Sequence, residues 1–492
     1  RILDERRKGF FRRGVKPDRI AIVGAGQAGS ALLTELASQP ELGMRAVVFF
    51  DDKESLHGRQ LHGVPIVGAP EEIPSYHLTN DLDKVILAIP RADTERVRSL
   101  VSLLKRNRIP VETIPSVEDL MNGKFRASLT REINIEDLLY RDAVQQNTDE
   151  LREFVTGRVV LVTGAGGSIG QELSLQLSNF HPKRLILVDR CESVLFLSEK
   201  LVSDKGGDVD LEVRVADVLD REAMQSIFDQ FSPDLVYHAA AHKHVGMMER
   251  QPATAIINNV GGTLSLARQS VESGVRDFCL ISTDKAVYPS SVMGASKRLA
   301  ELALAALVCD SGSIETNFSI VRFGNVIGSS GSVIPTFEEQ IDRGGPVTVT
   351  HREMTRYFMT IPEAVGLVLQ ATTFSAGNAL YMLDMGTPVQ IDAVARDLIR
   401  LKGLEPDVDI EIIYTGIRPG EKLHEVLQRG DEQSEPTSHA KIVRLVSAKP
   451  IVREANAFFQ SLETVEQQLP GLNASEARNR IFDLLTKLEE VE

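Results

Sequence analysis

The chain has 492 residues, a formal net charge of −14, 42% hydrophobic residues and 25% charged residues. That balance describes a soluble globular protein of two or three domains, and with no Lys/Arg-rich stripe it argues against a nucleic-acid binder. The three cysteines, Cys191, Cys279 and Cys309, are far apart, lack metal-ligand spacing and read as reduced thiols, and no apolar run nears the roughly 18 residues needed to cross a bilayer.

The opening stretch, RILDERRKGFFRRGVK, is basic and lacks an initiating methionine. Residues 1–17 are expected to be either a frayed terminus or the segment that follows a membrane helix on its cytoplasmic side. A first nucleotide-binding module is expected over 18–130. Its strand RIAIVGAGQAGSALLTELA runs into Gly24, Gly26 and Gly29, and a second strand ends in Asp51 and Asp52. Later strand and helix patterns complete a small open α/β sheet, with no catalytic residues behind the glycines. A polar helical connector is expected over 131–156.

A second module opens with RVVLVTGAGGSIGQELSLQL, which sets Gly164, Gly167, Ser168, Ile169 and Gly170 at a strand-to-helix turn. Glycines there admit a pyrophosphate to backbone amides at a helix N-terminus. Asp189 follows 19 residues beyond Gly170 at the end of RLILVDR, where a carboxylate accepts from an adenosine ribose diol. Arg190 beside it suits a 2′-phosphate, so NAD is favoured over NADP only weakly. Two further strands bring Asp217 and Val218 towards the adenine and Ala239, Ala240 and Ala241 alongside the cofactor. The expected fold is therefore α/β, with two tandem Rossmann-like doubly wound parallel sheets.

At the end of the strand FCLIS come Thr283, Asp284 and Lys285, and the helix MGASKRLAELALAAL puts Met293 and Lys297 one turn apart on a shared face. A hydroxyl, a carboxylate and two amines thus gather where the nicotinamide is expected. Met293, a thioether, cannot take a proton. Beyond about residue 430 the polar stretch RGDEQSEPTSHAK precedes a C-terminal segment (431–492) expected to be helical.

From about residue 157 the chain resembles the extended short-chain dehydrogenase/reductase family, and more closely the bacterial UDP-N-acetylglucosamine 4,6-dehydratases. The matching stretches are VTGAGGSIGQEL, AAAHKHVGMME, STDKAVYPSSVMGASK, VRFGNVIGSSGSVIPTF, REMTRYFMTIPEA and TGIRPGEKLHEVL. The first module and INIEDLLYRD fit the long form of that group, which carries membrane helices before these domains. The resemblance implies a soluble fragment from the cytoplasmic face of the bacterial inner membrane, working in glycan synthesis and forming a homo-oligomer. Methionine at position 293 resembles a branch that retains configuration at C5.

A catalytic domain over 157–430 is implied, with a smaller α/β substrate-binding part mainly over 331–430. The implied reaction oxidises sugar C4, eliminates water across C5 and C6, and returns hydride to C6. Asp284 is the choice for the acid at the C6 oxygen and Lys285 for the C5 base, the two titrating as a pair. Lys297 is expected to hold the nicotinamide ribose. The 4-hydroxyl proton is left to Thr283 as a relay, to a water, or to ionised Asp284, with Met293 forming an apolar wall. His242, Lys243, Asn325, Arg356, Arg418 and Glu421 are implied substrate contacts, the two arginines as forked donors to the diphosphate. No metal is expected, since the HKH cluster at 242–244 lacks acidic or thiol partners at ligand spacing. The competing readings are a UDP-sugar 4-epimerase, a C5-inverting dehydratase, and a catalytically silent NAD-sensing scaffold.

Overall fold

The computed structural model describes residues 16–90, 92, 94–114, 130–139, 147–310, 315–374, 377–447, 452 and 454–489. By contacts the chain divides into two compact units. One comprises Arg1–Ala143, Thr336–Val349 and Asp392–Ile413, and the other Val144–Pro335, Thr350–Ile391 and Tyr414–Glu492. The basic segment at the start lies outside the described residues. Among the described residues, no helix is long and apolar enough to cross a membrane.

In the first unit the strands are β1 (Asp18–Val23), β2 (Met44–Phe50), β3 (Gln60–Leu61), β4 (Val64–Gly68), β5 (Lys84–Leu87), β6 (Val111–Thr113) and β7 (Arg131–Glu132), in the spatial order β3-β4-β2-β1-β5-β6-β7. The central four pairings are parallel, and short antiparallel strands close both edges. Central strands buried on both faces read as unbroken apolar runs, as in β1, where Ile20 to Val23 are all buried. Helix α1 (Gln27–Ser38) presses Leu32, Leu33 and Leu36 onto Ile20, Ile22, Phe49 and Ile86. Helix α2 (Thr94–Arg106) starts with Glu95 and ends with Lys105 and Arg106, charges that complement its dipole.

The connector expected to be helical differs at its start. Arg131 and Glu132 form β7, whose main chain satisfies the open edge of β6, and this outweighs the weak helical preference of a charged pair. Two short helices follow, Ile135–Leu138 and Thr148–Val155. Leu151 and Val155, spaced to share a helical face, are buried in the core of the second unit.

The second unit continues with β8 (Val159–Thr163), β9 (Arg184–Asp189), β10 (Leu211–Val215), β11 (Leu235–His238), β12 (Asp277–Ile281) and β13 (Asn317–Arg322). Short pieces follow: β14 (Asn325–Val326), β15 (Val347–Val349), β16 (Thr355–Arg356), β17 (Phe358–Met359), β18 (Ala379–Leu383), β19 (Val389–Gln390) and β20 (Ile412–Tyr414), of which β15 and the first two residues of β20 belong to the first unit. Last come β21 (Glu432–Pro436) and β22 (Ile442–Ser447). The large sheet runs β10-β9-β8-β11-β12-β13-β18-β22-β21, while β14–β17, β15–β20 and β16–β19 pair separately. Strand order reverses between β8 and β11, and a crevice at such a switch point is where ligands bind in open parallel sheets.

The segment from residue 431 is therefore not helical throughout. Its polar stretch contributes β21, exposed over most of its length, and β22, which buries Ile442 and Leu445 and extends β18 antiparallel. A polar outer strand carries no hydrophobic alternation to announce it. The remaining helices used below are α3 (Ser168–Ser178), α4 (Gly262–Glu272), α5 (Val292–Asp310), α6 (Ile391–Leu401), α7 (Ala455–Gln468) and α8 (Ala474–Glu489). Helices α7 and α8 cover the apolar face of α5, so that α5 is buried almost all round.

Candidate active site

The turn after β8 is shaped by what it excludes. Gly164 has φ +67°, and a Cβ there would lie 2.5 Å from Ala240 N. A Cβ on Gly170 would lie 2.1 Å from the Gly164 carbonyl oxygen, so only glycine lets α3 seat this closely against the strand end. Gly167 precedes α3 without a side-chain cap, and no acidic residue occupies the first turn, which leaves the helix N-terminus open to an anion. Asp189 Oδ2 accepts from Gly166 N–H at 3.0 Å and Oδ1 from Cys191 N–H at 2.9 Å, fixing the carboxylate at the strand end.

A cleft of about 190 Å³ is bounded by Gly164, Gly167, Asp189, Arg190, Asp217, Val218 and Ala239 to His242. Val188, Ala216 and Asn258 also line it, and the sequence reading missed them. The first two are ordinary strand residues, but Asn258 carries a signal: a five-residue π-helical turn, Ile257–Gly261, rotates both Asn258 and Asn259 inward. Asn259 accepts from His242 N–H at 2.8 Å and donates to His242 C=O and to Ser296 Oγ, joining the cofactor strand end to α5.

Thr283 caps the short turn Asp284–Ala286. Asp284 is 1% exposed, and its Oδ1 accepts from Thr283 Oγ1 and Lys285 Nζ, each at 2.9 Å. Its Oδ2 makes no hydrogen bond. Lys285 Nζ also donates to Asn325 Oδ1 at 2.9 Å, so four of the expected residues form one connected group. Lys297 is 6% exposed and burial draws its pKa down to about 8, against a raising effect of Glu301. Met293 is 5% exposed and packs in the apolar cluster of Met248, Val292, Leu299 and α7, so its surroundings are core rather than a wall facing open space. Tyr288 is half exposed, and its hydroxyl accepts from Gly430 N–H at 2.7 Å, which spends the phenol on a loop.

The expected substrate contacts divide. Asn325 stands in the site, whereas Arg356 commits part of its guanidinium to the chain itself. Its guanidinium donates to the main-chain carbonyls of Thr355, Leu423 and Lys422 and lies 3.8 Å from Glu425. That arginine instead fixes the loop carrying Lys422 and Glu425, because a buried guanidinium must find acceptors wherever the backbone offers them. Arg418 and Lys243 are exposed and Glu421 half-buried. Exposed though Lys243 and His244 are, loss of hydration against the surrounding chain lowers their pKa values, and it does the same for His242. His244 packs against Gly331. Glu425 was missed although its stretch was singled out. Its buried carboxylate lies 3.9 Å from Lys285 Nζ and 3.8 Å from Lys422 Nζ. Among the described residues no cluster of three His, Cys, Asp or Glu side chains is arranged to hold a metal.

The first unit repeats the cofactor-turn geometry. Gly24 has φ +100°, and a Cβ on Gly29 would lie 2.0 Å from the Gly24 carbonyl oxygen. Asp51 accepts from Ala25 N–H at 2.7 Å and Lys53 N–H at 2.9 Å. Asp52 is paired with Arg96, which also binds Glu71.

A doubly wound sheet, a glycine turn facing a strand-end aspartate, and a Thr-Asp-Lys turn beside a helix lysine define an extended short-chain dehydrogenase/reductase. The family model described as "Polysaccharide biosynthesis protein" matches residues 160–447, and one described as "CoA-binding domain" matches residues 6–115. The chain belongs to the polysaccharide biosynthesis protein family. It is 41% identical over 440 residues to the capsular polysaccharide biosynthesis protein CapD of Staphylococcus aureus, covering 89% of this chain and 73% of that one. It is 31% identical over 278 residues to a UDP-N-acetylglucosamine 4,6-dehydratase (inverting) of Campylobacter jejuni, covering 56% of this chain and 79% of that one. The solved structure of Pen from Bacillus thuringiensis superposes with a TM-score of 0.55 at 30% identity, covering 60% of this chain and 88% of that one.

Proposed function

We propose that the chain is an NAD-dependent 4,6-dehydratase that converts UDP-N-acetylglucosamine to UDP-2-acetamido-2,6-dideoxy-4-hexulose, with retention at C5. The observation that carries this reading is the Asp284–Lys285 pair at the strand end, its aspartate buried and its lysine partly so, hydrogen-bonded to Thr283 and Asn325. An epimerase needs only oxidation and re-reduction at C4, whereas elimination needs a separate acid and base. NAD is supported over NADP by Asp189, whose fixed carboxylate would repel a 2′-phosphate, and by Arg190, whose guanidinium lies 3.6 Å from Asp217. Lys297 suits the nicotinamide ribose of either cofactor: it is a buried amine with no hydrogen bond or ion pair among the described residues, ready for a diol.

Bound NAD would supply reversible hydride acceptance at C4 and its return at C6. The chain's own residues handle the protons. The 4-hydroxyl proton passes through Thr283, whose O–H already points at Asp284 Oδ1, to the Asp284 carboxylate. Asp284 then gives that proton to the departing C6 hydroxyl, which leaves as water. Lys285 takes the C5 proton and later returns it to C5. Its two acceptors, Asp284 Oδ1 and Asn325 Oδ1, hold the amine at the strand end. Lys297 steadies the ribose and adds positive charge near the developing alkoxide. Retention rests on Met293, which resembles the retaining branch.

Incubation of the purified protein with UDP-N-acetylglucosamine in heavy water tests the reading. Loss of water with deuterium at C5 supports it, and proton couplings give the C5 configuration. An isomer of unchanged mass would mean epimerisation, and unaltered sugar with NAD bound would mean a silent scaffold.

A further inference from the structure

We infer that Glu301 is a positioning residue for this reaction: its buried carboxylate ties the catalytic strand end to the catalytic helix and keeps Lys297 charged beside the cofactor. Glu301 is 3% exposed and follows Lys297 by one turn of α5. Its Oε1 accepts from Ser282 Oγ at 2.7 Å and Arg322 Nε at 2.8 Å, and its Oε2 from Arg322 Nη2 at 2.7 Å and Arg298 Nη1 at 3.2 Å. Ser282 immediately precedes Thr283 and Asp284, and Arg322 ends the strand that leads to Asn325. One carboxylate therefore joins the segments that present Thr283, Asn325 and Lys297.

The same carboxylate is the charge that opposes the desolvation of Lys297. The titratable groups on the neighbouring segments are engaged elsewhere. On β11, His238 is held between Thr163 and Thr263, and burial, helped by Lys297, pushes its pKa down to about 3, so it stays neutral. Thr263 donates to Asn259 C=O, so its oxygen accepts from Nε2–H, and Nδ1 accepts from Thr163. At the strand end Asp284 and Lys285 occupy each other. Arg298 binds Glu301 and Glu489, and Arg322 binds Glu301 and Glu432. With the arginines neutralised by further carboxylates, the negative charge of Glu301 remains available to Lys297. Burial draws Lys297 down to about 8 and Glu301 acts the other way. A Lys297 without that support would lose its proton near neutrality.

The test is the pH dependence of NADH affinity, followed by cofactor fluorescence on the full chain after bound cofactor is exchanged. NADH has an uncharged ring, so Lys297 is read without a second cation. In the native protein affinity should fall as pH rises through about 8. In Glu301→Gln, which keeps shape and an acceptor for Ser282, the fall should move down by roughly one pH unit. Glu301→Asp, which retains the charge, should restore the native profile. An unmoved profile in Glu301→Gln would leave Glu301 only a structural role and overturn the inference. Should that variant not fold, the native titration decides, since the absence of any fall between about pH 7 and 9.5 also overturns it. The inference rests on the dehydratase reading only for its catalytic meaning. A normal NADH profile with no dehydration would refute the reaction and leave the role of Glu301 intact.

Discussion

Arg322 is wholly buried and gives every hydrogen bond it makes to carboxylates: Glu301 at 2.7 and 2.8 Å and Glu432 at 2.9 and 3.1 Å. Arg322→Met keeps an apolar stem of similar reach and removes the charge. Glu301 would retain Ser282 and Arg298, and Glu432 would retain the Arg429 N–H at 2.9 Å. Neither set replaces a bidentate guanidinium, and removing one partner from a buried ion pair costs about 3–5 kcal/mol. For a domain of this size that lowers Tm by roughly 6–10 °C.

The loss should depend on pH with a definite sign. Burial alone would raise the pKa of Glu301, but Arg322, with Arg298 and Ser282, outweighs it and holds the group at about 2. A carboxylate depressed in this way stabilises the fold above its unfolded value near 4.5, and that stability is lost as pH falls through about 2. The gap between native and variant is therefore full at pH 7.5 and narrows below about pH 4.5. Thermal melts of both proteins at pH 7.5 and at about 3.5 measure it. Adding Glu301→Gln to the variant should recover part of the loss, because it removes the orphaned charge. A Tm drop under about 2 °C at pH 7.5, or an equal drop at both pH values, would show that the network contributes nothing of this kind.

Four further outcomes are expected. Asp284→Asn and Lys285→Ala should each lower kcat by roughly 10²–10⁴-fold while NAD stays bound, read by product assay and cofactor absorbance. Gly170→Ala forces a Cβ to 2.1 Å from the Gly164 carbonyl oxygen, so the turn must open and the purified protein should carry no NAD. Met293→Tyr restores a phenol but overfills an apolar cluster in which the methionine is 5% exposed. It should lower stability by about 1–3 kcal/mol without raising kcat, and a faster enzyme would contradict this. Glu466 on α7 has its pKa raised to about 7, by burial first and then by Glu463. A raised carboxylate costs stability as pH climbs from 4.5 towards 7. Glu466→Gln should therefore stabilise by on the order of 1 kcal/mol at pH 8 and not at all below pH 4.5, measured by urea melts.

The parts legible from sequence were those with strict local chemistry. A glycine turn followed at fixed distance by a strand-end aspartate does line one cleft, and Thr283, Asp284, Lys285 and Asn325 do converge. What escaped depends on distant segments meeting. Glu425 looks like any helix-forming residue until the Arg356 guanidinium folds its loop over Lys285. Glu301 sits in a helical run whose charges suggest a solvated face, yet α7 and α8 bury that helix. β21 and β22 lack the apolar alternation that identifies a strand, because one is a polar outer edge. The contacts of Arg356 to main-chain carbonyls escaped for the opposite reason: a forked donor suits phosphate and a backbone carbonyl equally well, and sequence does not say which is nearer.

The backbone passes from one unit to the other after residues 143, 335, 349, 391 and 413. No single cleavage can release either piece intact. Deleting residues 1–143 would also strip the partners from the later excursions, among them Asp397 on α6, which is paired with Arg98 on α2 at 2.7 Å. An amputated chain would therefore leave Asp397 with Arg400 alone, at 3.8 Å, and an unpacked helix, and should precipitate or be degraded. A dissection of the two halves is better pursued by point substitutions at Arg98 and Asp397 than by shortening the polypeptide.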